Sequence, residues 1–262
     1  MSLKFKKYQG TGNDFILIDN ISGEWNTMSI DVIQLLCDRK FGIGADGLIK
    51  LNKAVNFDFE VDYYNSDGSK SFCGNGARCA VAFAKEIGLI IDEKTTFLAI
   101  DGEHEAFFQG GLVSLKMNDV QHVELHNQDF ILNTGSPHYI HYVSQIEGFD
   151  IYNYGKEIRY SNLFQKDGIN VNAVQELNNN TLKMKTYERG VEAETLSCGT
   201  GVTAAALVSA YKRNTLGSFL FKVFTPGGEL KVNFERTELG FSNIWLTGPA
   251  TFVFEGSVYV AI

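Results

Sequence analysis

Short landmarks in the first half of this 262-residue chain return, in the same order, in the second half. Thr11-Gly12-Asn13-Asp14-Phe15 recurs as Thr134-Gly135-Ser136-Pro137-His138, and Asp46-Gly47-Leu48 as Asp167-Gly168-Ile169. Tyr64 recurs as Tyr187, and Cys73-Gly74-Asn75-Gly76 as Cys198-Gly199-Thr200-Gly201, all at offsets of 121 to 125 residues. One such pair would be chance. Four in order at a nearly constant spacing mean that one structural unit is used twice, and so long a period belongs to duplicated domains, not to a solenoid. The expected domains are 1–118 and 119–250, with the break near 117–120.

Within each half, apolar or alternating β-rich runs dominate, for example at 3–9, 15–19, 47–52, 57–64 and 95–100, then at 138–143, 169–174, 181–188 and 219–225. Helices are fewer. Residues 29–39 open on a serine N-cap candidate and carry Ile30, Ile33 and Leu36 on one face. Residues 75–87 and 200–213 are small or apolar nearly all round, the pattern of a buried helix. The expected fold is therefore α+β: two pseudo-symmetric domains, each a curved, mostly antiparallel sheet wrapped around a central helix.

Cys37 and Cys79 lie inside apolar helical segments and are expected simply to pack. Cys73 and Cys198 are different. Each precedes Gly-x-Gly and then a helix, so first-turn amides that the helix cannot use lie beside the sulfur and favour a thiolate. The glycines let a ligand approach the backbone closely, and a carboxylate suits two helix starts. Such a pair is equipped to remove a proton from the carbon next to a carboxylate and to return one to its other face.

Composition narrows the alternatives. A net charge of −8 without a basic run argues against a nucleic-acid partner. No stretch approaches the roughly 20 apolar residues of a membrane span, and the first ten residues lack a signal-peptide core. A cytoplasmic location with reduced cysteines is expected, and the sequons at Asn20 and Asn179 are read as chance. No C-x-x-C pair offers a structural zinc site. The glycines of 42–47 miss the dinucleotide spacing, and no lysine stands in a pyridoxal-phosphate context. The expected chemistry uses neither cofactor nor metal, on a small-molecule substrate.

Taken together the segments resemble the diaminopimelate epimerases, nearly end to end. The likeness includes Gly10-Thr11-Gly12-Asn13-Asp14-Phe15, Phe41-Gly42-Ile43-Gly44-Ala45-Asp46-Gly47, Tyr64-Asn65-Ser66-Asp67-Gly68 and Phe72-Cys73-Gly74-Asn75-Gly76-Ala77-Arg78. It continues through Thr134-Gly135-Ser136-Pro137-His138, Gly168-Ile169-Asn170-Val171-Asn172 and Tyr187-Glu188-Arg189-Gly190, to Ser197-Cys198-Gly199-Thr200-Gly201 and Thr247-Gly248-Pro249-Ala250. The resemblance implies interconversion of LL- and meso-diaminopimelate, a step towards lysine and peptidoglycan. It implies that Cys73 and Cys198 are the acid/base thiols, one thiolate and one thiol, and that backbone groups of Gly74, Asn75, Gly199 and Thr200 hold the reacting carboxylate. By the same likeness Asn13, Asn65, Asn170, Glu188 and Arg189 hold the amino groups and the distal end, with His138 and Ser136 nearby. Two positions depart from the pattern: many relatives carry Asn where Ser136 stands, and some carry Gln where Gly47 stands. The likeness further implies that 251–262 return to the first domain, and it leaves a homodimer open.

Two rival readings remain at this level: another cofactor-independent racemase of the proline or hydroxyproline type, and a silent amino-acid-binding module. Arg189 opposes the first, because a guanidinium fork suits a distal carboxylate that a proline ring lacks. If both thiols flank one carbon, oxidation should join Cys73 to Cys198, since a disulfide needs Cα atoms within roughly 7 Å. Oxidant should then abolish activity and a thiol reductant restore it; inactivation with both cysteines free by mass spectrometry would contradict this.

Overall fold

Strands that run parallel cannot be joined by a hairpin and need a crossover, commonly a helix. This chain makes four such crossovers among its described residues, and they set its architecture. The computed structural model describes residues 1–178 and 180–260; Asn179 of the second sequon and the last two residues of the expected 251–262 return lie outside them.

The chain divides into two units. Unit 1 holds Met1–Leu115 and the segment from Gly248 onward. Its elements are β1 (Ser2–Gly10), β2 (Asn13–Asp19), α1 (Ile30–Cys37), β3 (Gly47–Asn52), β4 (Phe59–Asn65), α2 (Gly74–Glu86), β5 (Lys94–Ala99), β6 (Gly102–Gln109) and β7 (Leu112–Lys116). A strand from the far end of the chain, Thr251–Tyr259, is β17 by its place in the order. The strands lie side by side as β17-β1-β2-β3-β4-β5-β6-β7. The pairs β2–β3 and β4–β5 are parallel, joined through α1 and α2, and the others are antiparallel.

Unit 2, Lys116–Thr247, repeats the plan. It contains β8 (Glu124–His126), β9 (Asp129–Asn133), β10 (Pro137–Tyr142), α3 (Ile151–Arg159), β11 (Asn170–Asn178), β12 (Thr181–Glu188), β13 (Ala193–Thr195), α4 (Gly199–Arg213), β14 (Gly217–Thr225), β15 (Gly228–Thr237) and most of β16 (Gly240–Pro249). The order is β8-β9-β10-β11-β12-β14-β15-β16, parallel at β10–β11 and β12–β14, where α3 and α4 make the crossovers. The short β13 shares an edge of β12 with β14. Both units are thus mixed, mainly antiparallel sheets around one central helix.

The central helices α2 and α4 are buried almost throughout, from Asn75 to Ala84 and from Gly201 to Ala210. Each sheet also covers its other face with the first crossover helix of its unit. Phe15 and Leu17 of β2 join the core around α2, whereas Ile16 and Ile18 join Ile33 and Leu36 of α1. A strand buried on both faces reads as a continuous apolar run, as Phe15-Ile16-Leu17-Ile18 does.

Three features differ from expectation. The unit limits fall at 115/116 and 247/248, where the sequence pointed to 118/119 and 250/251. Helix α3 was not anticipated. Asp150 caps it by accepting from the Asn153 amide, but Asn153, two tyrosines and Gly155 are weak helix formers that hide it from a propensity reading. The third difference is register. Phe15 stands opposite Gly47, and His138 stands opposite Asn170, so the counterpart of Gly47 is Asn170 and the match of Asp46-Gly47-Leu48 to Asp167-Gly168-Ile169 slides by two residues. Among the described residues, no helix is long and apolar enough to cross a membrane.

Gly155 has a packing reason: a Cβ there would lie 2.3 Å from Tyr187 Cβ. Propensity alone predicts that Gly155→Ala gains about 1 kcal/mol. The contact predicts instead a net loss of about 1–3 kcal/mol, as for overpacking, readable by urea unfolding. A variant as stable as its parent would contradict this packing of α3 on β12.

Candidate active site

The two cysteines occupy the same position at the start of the same helix. Cys73 is the N-cap of α2 with φ −129° and ψ 113°, and Cys198 that of α4 with φ −121° and ψ 109°. Both accept the first helical hydrogen bond on their carbonyls, from Ala77 at 2.8 Å and Val202 at 2.9 Å. An N-cap Ser or Asp spends its side chain on a first-turn amide. Neither cysteine does so, which leaves each sulfur beside amides at the positive end of a helix. Cys73 is half-buried and Cys198 buried.

In unit 1, Cys73 donates to Asn13 Oδ1 at 3.5 Å, and Asn75 Nδ2 donates to the same oxygen at 3.4 Å. The Asn13 amide is oriented from behind, because its Nδ2 donates to the Asp46 carboxylate at 2.5 Å. Asp46 in turn shares Arg39 with Asp14, at 2.7 and 2.6 Å. Burial alone would raise the Asp14 carboxyl, but hydrogen bonds and charge from Arg39 and Lys7 outweigh it and hold the pKa down at about 2. Asn75 is fixed from below by Arg78, a fully buried guanidinium that donates to Asn75 Oδ1 at 2.9 Å, Thr11 Oγ1 at 3.1 Å and the Pro249 carbonyl at 3.3 Å. Asn65 ends β4, donating to Ser69 and Ser71 and accepting from the Tyr63 hydroxyl at 2.8 Å. At Gly47 a Cβ would lie 2.4 Å from the Tyr63 ring and 2.5 Å from the Tyr64 carbonyl, so the packing of this chain leaves no room for a side chain there.

Unit 2 gathers two clusters. In one, Ser136 Oγ accepts from Asn170 Nδ2 at 2.9 Å and from Arg189 Nη2 at 3.3 Å, while the Arg189 backbone amide donates to Asn170 Oδ1 at 2.9 Å. Arg189 Nη1 donates to the Asp167 carbonyl, and the side chain stays exposed. Glu188, half-buried, ends β12 beside it. In the other cluster, His138 Nε2 lies 2.8 Å from Thr200 Oγ1, which lies 3.4 Å from Cys198 Sγ. Asn172 Nδ2 stands 3.0 Å from the second imidazole nitrogen. Desolvation, with the charge of Arg189, pushes the His138 pKa down to about 3.

The structure therefore assembles Asn13, Cys73 and Asn75 in unit 1, with Asn65 a strand end away, and two sets in unit 2: Ser136, Asn170 and Arg189, then His138, Thr200 and Cys198. Burial raises the other two thiols, Cys37 to about 11 and Cys79 to about 12, which makes them inert packing groups at neutral pH. Sequence reasoning missed the supporting residues Asp46, Arg78, Asn172 and Thr186, the last of which donates its hydroxyl to Asn172 Oδ1 at 2.9 Å. Arg78 was detectable as a lone cation in an apolar helix; the others needed the strand registers.

A profile of the diaminopimelate epimerases matches residues 5–125 and 130–253. The diaminopimelate epimerase of Flavobacterium psychrophilum is 48% identical over 258 residues, 98% of this chain and 100% of that one. That of Aquifex aeolicus is 37% identical, over 97% of each chain. Among solved structures, a phenazine biosynthesis protein of the PhzF family from Bacillus anthracis superposes with a TM-score of 0.76 over 99% of this chain and 100% of its own. At 13% identity that likeness speaks for the fold alone.

His138 sets an acid limit on stability. Its pKa lies far below the ordinary value of about 6.5, so the unfolded chain binds the proton that the folded one refuses. Its contribution is complete above about pH 6.5 and is lost as pH falls towards about 3, by about 1.4 kcal/mol per unit. Urea midpoints measured across this range should fall less steeply in His138→Gln than in the parent; equal slopes would mean a protonated or exposed imidazole.

Proposed function

The chain belongs to the diaminopimelate epimerase family, and on that footing we propose that it interconverts LL- and meso-diaminopimelate by passing the α-proton between Cys73 and Cys198. The observation that carries this reading is the matched pair of extended cysteine N-caps, whose sulfurs are not consumed as helix caps. One thiolate takes the α-proton and becomes a thiol, and the electron pair left on the α-carbon spreads into the carboxylate. The other thiol delivers its proton to the opposite face and becomes the thiolate. Direction reverses with the roles, so neither cofactor nor net proton change is needed.

The α-proton is weakly acidic, and the enzyme's task is to stabilise the charge that moves onto the carboxylate. Backbone amides of Gly74, Asn75, Gly199 and Thr200 lie in the first helical turns, where preorganised donors cost no reorganisation. A Cβ at Gly74 would meet nothing within 4 Å, an open approach that suits a ligand. Arg189 is assigned to the distal carboxylate, supported by its contacts to Ser136 and Asn170. Asn13, Asn65 and Glu188 are assigned to the amino groups. A role in lysine and peptidoglycan supply, in the cytoplasm, belongs to the same proposal.

Cys73→Ala and Cys198→Ala should each abolish epimerisation while leaving the fold intact. The test is exchange of the diaminopimelate α-hydrogen with deuterated water, with both diastereomers as substrate. Full epimerisation in either variant would exclude a two-thiol mechanism. Arg189→Lys should lower kcat/KM by about 2–5 kcal/mol in free-energy terms, because an ammonium lacks the two-point fork. A loss below about threefold would return Arg189 to the surface.

A further inference from the structure

Among the described residues, six non-glycine positions hold a positive φ, and four of them are asparagines, which tolerate it well. The other two are Thr11, close to Asn13 in the chain, and Glu192, close to Arg189. A glutamate has no preference of its own for φ +58°, so its surroundings must hold it there. Strain of this kind gathers where a segment has to keep one particular shape for function.

Glu192 is the last residue of the loop Arg189-Gly190-Val191-Glu192, which joins β12 to β13 where Glu188 pairs with Ala193. Its amide donates to the Glu188 carbonyl at 2.8 Å and closes the loop. Its half-buried carboxylate then ties the loop to three places. Oε1 accepts from the Gly190 amide at 3.2 Å, a bond that spans the loop from within. Oε2 accepts at 3.1 Å from the hydroxyl of Tyr187, whose ring is buried in the sheet. Arg159, the last residue of α3, places its Nε 3.3 Å from Oε1 as an ion pair. Burial works to raise the Glu192 carboxyl, but the Gly190 amide, the Tyr187 hydroxyl and the Arg159 charge outweigh it and hold it below the ordinary carboxylate range.

The same contacts separate two arginines. Arg189 and Arg159 share one glycine floor: a Cβ at Gly168 would lie 2.6 Å from Arg189 Cδ and 2.9 Å from Arg159 Cζ. Arg159 faces the Glu192 carboxylate. The Arg189 guanidinium instead meets neutral acceptors, the Asp167 carbonyl and the Ser136 hydroxyl, which leave its charge for an incoming anion. Without Glu192, a second cation would stand unpaired next to the first and compete for that anion.

We infer that Glu192 is a positioning residue for the distal-carboxylate clamp: it holds the Arg189 loop in one shape and neutralises Arg159, so that Arg189 alone presents a charged fork. The inference rests on the reading that Arg189 binds the distal carboxylate. It gives Glu192 no contact with substrate and no part in the proton transfer.

Glu192→Gly tests this, because glycine suits the left-handed backbone and only the side chain is lost. KM for diaminopimelate should rise about tenfold, the scale of one lost hydrogen bond to a charged group. The value of kcat should change less than about threefold, the pattern of lost binding with the chemistry intact. Glu192→Asn, which also tolerates this backbone but is one carbon shorter, should behave alike and serves if the glycine variant does not fold. In an Arg189→Lys background the same change should raise KM less than about twofold, since residues that act through one another are not additive. Without substrate, the Arg189 amide, which Asn170 Oδ1 holds, should exchange with deuterated water about tenfold faster in Glu192→Gly than in the parent, as the loop opens more easily. A fully additive loss in the Arg189→Lys background, or an unmoved KM beside a lowered urea midpoint, would make Glu192 a residue of stability alone and overturn the inference. An unchanged Arg189 exchange rate would overturn it whatever the substrate. Failure of the epimerase reading shows separately, as no exchange of the diaminopimelate α-hydrogen in the unaltered protein.

Discussion

A helix leaves its first amides without partners inside itself, and a helix buried on nearly every side must find a use for them. Both central helices of this protein meet that demand in the same way. They begin at an extended cysteine whose side chain does not cap, and their first turns are made of glycine and small polar residues. Much of the remaining structure serves to hold those two starts in place. The sheets bury the helices, the parallel pairs β4–β5 and β12–β14 make the crossovers obligatory, and Asn13, Asn65, Asn170 and Glu188 stand at strand ends, with Asn13 in contact with Cys73 and Asn75 at the start of α2.

The supports around each start show how a duplicated frame can be tuned. In unit 1 the polar work falls to Arg78, buried in α2 itself and tied to Asn75, and to the Arg39, Asp14 and Asp46 group behind Asn13. In unit 2 no such cation lies within the helix: position 203 is a threonine whose hydroxyl returns to the Gly199 carbonyl at 3.0 Å. Its polar support comes from the sheet below. A symmetric pair of thiols would have no inherent difference between its members, whereas these two sulfurs have different neighbours before any substrate arrives.

Legibility in the sequence followed physical scale. The duplication was visible because turns and caps are short, local and made of glycine, asparagine and cysteine, which few other residues can replace. Helices α2 and α4 announced themselves through alanine-rich runs. Helix α3 did not, since Gly155 stands where Tyr187 leaves no room for a side chain, a long-range cause with a misleading local sign. The slip at Asp46-Gly47-Leu48 has a similar origin: identical turn letters in both halves stand at different distances from the strands they precede, and only the pairing of β3 and β11 with their neighbours reveals it. The residues that resemble known epimerases were found by pattern. Those that orient them, Asp46, Arg78, Asn172 and Thr186, act through contacts between distant segments, which no spacing along the chain encodes.

The pairing of β1 with β17 has a bearing on how the protein is made. Strand β1 runs against β17 from Ser2 opposite Tyr259 to Gln9 opposite Thr251, so unit 1 is closed by residues synthesised after the whole of unit 2. Unit 2 is continuous in the chain and can fold as it emerges, whereas β1 must wait with one edge unpaired. An open strand edge is a template for pairing with other chains, and contacts this distant in sequence form slowly. Of the two halves of the repeat, the first to be translated is thus the last to be finished, and until β17 is made the nascent chain carries β1 with an open edge.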